Sequence, residues 1–141
     1  MRTRRTPTWI PATRLSATRL SDGSRQSLLL AVMLATVGTL HFVVPERFDE
    51  TIPDEIPVDK RTATLASGVV EVGLAGGLLW PRTRRVSGLA SVGLFIAVYP
   101  ANLNMVRMYW HKPAVRAAML ARLPLQIPMI VAGWQVWKRA S

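Results

Sequence analysis

The chain has 141 residues, half of them hydrophobic, and carries a net charge of +10. A soluble domain rarely combines those two values, and the Lys and Arg flank long apolar runs instead of gathering on one solvated face, which argues against a nucleic-acid partner. With no cysteine and only His41 and His111, the chain excludes disulfides, thiolate catalysis and iron–sulfur ligation, and no metal site or chain-bound cofactor is expected.

Residues 1–25 hold six Arg and one acid, Asp22, and repeat Ala-Thr-Arg-Leu-Ser at residues 12–16 and 17–21. A period of five fits neither helix nor strand, so this reads as a mobile basic tail. Such a tail serves as a topology signal and suits anionic lipid head groups. Residues 26–141 then form one domain with four apolar blocks, at about 28–44, 63–80, 86–105 and 117–137. Each approaches the ~20 residues that cross ~30 Å of hydrocarbon at 1.5 Å per residue. Lipid offers backbone amides no partner, so such runs become helices. The expected fold is all-α, a four-transmembrane-helix antiparallel bundle of multi-pass type in the cell membrane. Pro45 and Pro81 are expected to stop the first two helices.

Eleven Lys and Arg lie in the tail, the Arg82–Arg85 turn and the C-terminus, against seven on the opposite side. That bias predicts both termini in the cytoplasm. Six of the eight acids fall between Glu46 and Asp59. Apolar residues recur among them, which predicts a short interfacial segment folded over the bundle mouth with Phe48, Ile52 and Ile56 inward.

Glu71 stands midway along the second block, where a charge costs on the order of 2.5–3.5 kcal/mol or more. It should therefore face the bundle interior, with Ser67 one turn away as a local partner. At 1.5 Å per residue Glu71 lies roughly 12 Å, and Gln126 roughly 13 Å, below the outer ends of their helices. His41, Asn102 and Asn104 lie in the same half. We expect His41, Glu71, Asn102 and Gln126 to converge, with Ser67, either as a ligand-binding pocket or as interhelical hydrogen bonds that hold the bundle. Pro100, Pro124 and Pro128 flank these positions and free backbone carbonyls there. Gly73, Gly76, Gly77, Gly88 and Gly93 mark close helix approaches, within the bundle or between protomers. Trp80, Trp110, Trp134, Trp137 and Tyr109 read as interfacial anchors.

Gly38-Thr-Leu-His41-Phe42-Val-Val-Pro45-Glu46-Arg-Phe48, Ser67-Gly68-Val-Val-Glu71, Tyr99-Pro100-Ala101-Asn102 and Leu123-Pro124-Leu125-Gln126 follow one another in an order that resembles the DoxX-like membrane proteins. The resemblance spans roughly residues 26–137. It implies a four-helix membrane bundle associated with membrane redox chemistry, as a subunit of or accessory to a redox complex. It also implies contact with a quinone or another lipophilic small molecule at His41 and Glu71. Without cysteine, any thiol step belongs to a protein partner. Competing readings are a noncatalytic scaffold or assembly factor that holds another membrane protein or a second copy through its glycine faces, and a small-solute or proton transporter built round Glu71. Whether the chain is an enzyme is left open by its residues.

Overall fold

A computed structural model describes residues 22–140. The expected tail over residues 1–21 lies outside the described residues. Six helices follow in order: α1 Asp22–Val43, α2 Pro45–Asp49, α3 Lys60–Leu79, α4 Pro81–Ala97, α5 Tyr99–Met108 and α6 Pro113–Arg139. Four spans are long and apolar enough to cross a membrane: Ser24–Val43, Lys60–Leu79, Pro81–Met108 and Pro113–Arg139, the third formed by α4 and α5 together.

The helices overrun the apolar blocks because polar caps and prolines start them. α1 takes in residues 22–25, expected in the tail. Asp59 caps α3 by accepting from the Thr62 backbone N–H at 2.8 Å. Pro45 and Pro81 do end the preceding helices, but each also opens the next, at the first turn of α2 and α4, where a missing N–H costs nothing. Pro113 opens α6 in the same way. Pro100 acts as expected, breaking the third span at Val98, whereas α6 runs unbroken through Pro124 and Pro128.

α1 packs on α3 and α4 on α6, while α3–α4 and α1–α6 contacts close the ring. Successive spans run antiparallel. Leu34, Ala75, Leu78, Phe95 and Val136 form the apolar centre. The exterior is greasier than the interior. Leu29, Val69, Val86 and Ile127 are all more than 60 % exposed, whereas Ser27, Thr64, Glu71, Ser91 and Gln126 are buried. Water would reverse that arrangement, whereas hydrocarbon around the bundle favours it.

One end of the bundle, hereafter the termini end, is pinned tightly. Trp80 alone separates α3 from α4. The Ser27 hydroxyl donates to the Leu78 carbonyl at 2.5 Å, Arg84 Nε to the same carbonyl at 3.0 Å, and Thr83 to that of Gly77 at 2.9 Å. These side chains satisfy the last carbonyls of α3. At the opposite, loop end, residues 45–59 form a strap. Arg61 pairs with Glu46 and Asp49 at 3.1 and 2.8 Å, Lys60 with Asp54 at 2.5 Å, and Arg107 with Glu55 at 2.9 Å. Asn104 Nδ2 donates to the Thr51 carbonyl at 3.0 Å. Phe48 turns inward onto the His41 ring as expected and Ile52 is half-buried, but Ile56, which follows the ion-paired Asp54 and Glu55, is exposed.

Four of the strap's acids, Glu46, Asp54, Glu55 and Asp59, lie below the usual carboxylate range. Backbone N–H groups hold Glu46 and Glu55 down first, then Arg61 and Arg107; Lys60 holds Asp54, and the Thr62 backbone N–H holds Asp59. A lowered folded-state value means that the stabilisation is present above the ordinary carboxylate range and is lost as pH falls through the lowered values. Amide exchange over residues 45–59, corrected for intrinsic rates, is expected to lose protection between about pH 6 and about pH 3 while the four spans keep theirs. Equal protection of the strap across that window would contradict the role given to its ion pairs.

Candidate functional site at the glycine crossing

α1 and α3 meet backbone to backbone at Gly38 and Gly68. A Cβ on Gly38 would stand 2.9 Å from the Glu71 Cβ and 3.1 Å from the Gly68 carbonyl oxygen. A Cβ on Gly68 would stand 2.9 Å from the His41 Cβ and 3.0 Å from the Gly38 carbonyl oxygen. No side chain fits in either position without displacing the facing helix. Each glycine is followed three residues later by a polar residue on the same face. Because the helices are antiparallel, the two repeats interlock and bring His41 against Glu71.

The resulting pair is buried, with His41 7 % and Glu71 5 % exposed. His41 Nδ1 lies 3.7 Å from Glu71 Oε2, but its hydrogen bond goes to the Val37 carbonyl at 2.8 Å. The proton therefore sits on Nδ1, and in the neutral ring Nε2 is an acceptor. Glu71 Oε2 is enclosed and accepts no hydrogen bond from the protein. The Thr64 hydroxyl, two turns along the same face of α3, is also enclosed and unpartnered. Phe48 stacks on the His41 ring at 3.8 Å between centroids, 26° from parallel, so α2 covers the pair from the loop end. Glu71 Oε2 and His41 Nε2 thus form a pair of acceptors to which the described residues supply no donor.

Asn102 and Gln126 make a second pair. Asn102 Nδ2 donates to Gln126 Oε1 at 2.6 Å, and Gln126 Nε2 donates to the Phe95 carbonyl. That carbonyl belongs to the last turn of α4, just before the break at Val98. Gln126 therefore serves the backbone where the third span is interrupted, as expected of freed carbonyls in lipid. The four expected residues form two pairs. Among the described residues no hydrogen bond or ion pair joins one pair to the other. Ser67 is half-buried, and no hydrogen bond links it to Glu71.

Gly38, Gly68, Gly133 and Thr64 carry much of the interior yet do not stand out in hydropathy. Of the glycines that did stand out, Gly77 packs against Ser87, and Gly88 crosses Gly133 with its would-be Cβ 3.0 Å from the Gly133 carbonyl oxygen. Gly73, Gly76 and Gly93 have open space where a Cβ would be.

Comparison with known proteins gives one family match: the model of a domain of unknown function, DUF8561, matches residues 30–137. No curated protein and no solved structure matches. The matched stretch runs through all four spans and both polar pairs, and the chain belongs to the DUF8561 family.

Proposed function

We propose that this protein is a membrane-embedded component of, or accessory to, a redox complex of the cell membrane, and that it holds a quinone or another lipophilic small molecule at His41 and Glu71. The observation that carries this reading is the enclosed Glu71 oxygen without a donor, beside an imidazole whose own N–H is already engaged. A buried acceptor left unpaired costs about 1–3 kcal/mol, and more if charged. A ligand hydroxyl would offset that cost. The hydroxyls of a quinol fit the donor-poor pair, with Glu71 Oε2 and His41 Nε2 as their acceptors. A bound quinone couple supplies two-electron, two-proton chemistry, and Glu71 is the residue placed to take up a proton from it. The redox association itself rests on the DoxX-like order of motifs. The excess of Lys and Arg at the termini end supports a cytoplasmic location for both termini.

Lipid extracts of protein purified in mild detergent test the reading by mass spectrometry. Quinone is expected to be retained with the wild type, to fall by about tenfold in Glu71→Gln, and to persist in Ser67→Ala. Quinone no more abundant than in an unrelated membrane protein purified alongside would overturn it.

A second reading, a scaffold or assembly factor for another membrane protein, is favoured by the open faces at Gly73, Gly76 and Gly93. A stoichiometric partner recovered by pull-down and lost in Gly73→Leu/Gly76→Leu, with the bundle intact, would support this reading over the first.

A further inference from the structure

We propose that the termini end of the bundle is a docking surface for the head groups of anionic phospholipids, centred on Arg82, Arg85 and Lys138 and backed by Trp134 and Trp137. The site is distinct from the N-terminal tail and is made by the fold. Gly88 and Gly133 let the first turns of α4 reach the last turns of α6: a Cβ on Gly88 would stand 2.9 Å from the Trp137 backbone nitrogen. That approach sets the Arg85 guanidinium 5.8 Å from the centre of the Trp137 ring. Lys138 Nζ sits 5.4 Å from the centre of the Trp134 ring, and the two indoles pack 4.5 Å apart at 52°.

A cation–π contact at that distance uses none of the guanidinium's N–H donors, so they can still meet two oxygens of one anion, which is the geometry of a phosphate. Arg84 is different, since its donors go to the carbonyls of Leu78 and Leu79 and to Ser24. Among the described residues, Arg82, Arg85, Lys138 and Arg139 make no ion pair. All four Lys and Arg ion pairs among the described residues lie at the loop end. Past Asp59 the sequence holds a single acid, Glu71, buried in the bundle. The loop end thus neutralises much of its own charge, whereas none of the ion pairs found among the described residues involves Arg82, Arg85, Lys138 or Arg139 at the termini end.

The surroundings select a lipid over a soluble anion. Leu79, Trp80 and Val86 are 54, 62 and 70 % exposed beside the cations. An apolar rim with indoles at its edge is the composition of a span end at head-group depth. A zwitterionic head group brings its own ammonium, so the preference falls on lipids with net negative charge.

Quenching of indole fluorescence by brominated lipids reads the site directly, because Trp134 and Trp137 are its floor. The full chain carrying Trp9→Phe and Trp110→Phe is placed in phosphatidylcholine vesicles containing a minor share of brominated phosphatidylglycerol or of brominated phosphatidylcholine. Quenching is expected to show an apparent preference of about tenfold for the anionic lipid. It should fall close to unity in Arg82→Gln/Arg85→Gln/Lys138→Gln and survive Lys112→Gln/Arg116→Gln/Arg122→Gln at the loop end. If the first triple variant fails to fold, Arg82→Gln alone, at an exposed residue, is expected to lower the preference by several fold. Equal quenching by the two lipids in the wild type, or a preference untouched by the termini-end substitutions, would overturn the proposal. So would a preference abolished by changing the five Arg of residues 1–21 to Gln.

Discussion

Gly68→Ala and Gly38→Ala are each expected to lower the stability of the detergent-solubilised bundle by about 1–3 kcal/mol, and the valine variants by more. The same substitution at Gly73 or Gly76 is expected to leave stability unchanged or raise it by up to ~1 kcal/mol. All four glycines lie in helices of the same hydrocarbon-length core, so residue type does not distinguish them. The difference is geometric. At Gly38 and Gly68 an added methyl meets the backbone oxygen of the facing helix at 3.1 and 3.0 Å, and a backbone cannot rotate aside as a side chain can. At Gly73 and Gly76 it enters open space and gains only helix propensity. Unfolding midpoints of the four alanine variants, measured in one detergent, check this. Equal midpoints would mean that α1 and α3 do not meet at the glycines. The His41–Glu71 pair would then lose its structural basis.

The second large effect concerns Gln126. Gln126→Leu is expected to destabilise the bundle by about 2–3 kcal/mol, because it leaves the Phe95 carbonyl and the Asn102 amide without partners in a buried setting. Glu71→Leu provides the contrast. It removes an oxygen that the protein does not satisfy and fills the space with a side chain of similar bulk, so stability is expected to hold or rise while any bound ligand is lost. The two polar residues, at similar depth on diagonally opposed spans, therefore have opposite structural weights. Gln126 supports the backbone break, whereas Glu71 Oε2 makes no hydrogen bond among the described residues, as the proposed ligand role requires. If Glu71→Leu unfolds the protein and Gln126→Leu does not, these assignments are reversed.

Much of the architecture is legible in the residues. The apolar blocks locate four spans because lipid leaves the backbone no other solution, and Phe48 recurring among acids and prolines announces the strap. The ends of the helices are less visible. Asp59, Pro81 and Pro113 start helices by capping and by preset backbone angle, and neither effect registers in hydropathy. The third span divides at Val98 because Pro100 cannot give the Ile96 carbonyl its hydrogen bond. Of the site, the polar residues stand out because charge and amide are rare in such runs, but their pairing does not. A signal for one pair exists in retrospect: Gly38-x-x-His41 and Gly68-x-x-Glu71 share a spacing that makes antiparallel helices interlock. Gly38 and Gly68 escape notice because neither belongs to a glycine-rich run. The open faces at Gly73 and Gly76 look the same in sequence as a closed crossing, since only the position of the neighbouring helix distinguishes them.

The single residue between α3 and α4 also governs how the molecule can move. With no slack at Trp80, and with three side chains binding the carbonyls beside it, those two rods share a fulcrum. The longer links, residues 50–59 and 109–112, both lie at the far extremity. Any spreading of the rods therefore works like a pair of tongs, widest at the loop end and nil at Trp80. A molecule held as proposed at His41 and Glu71 would then enter and leave through the jaws, away from the rivet.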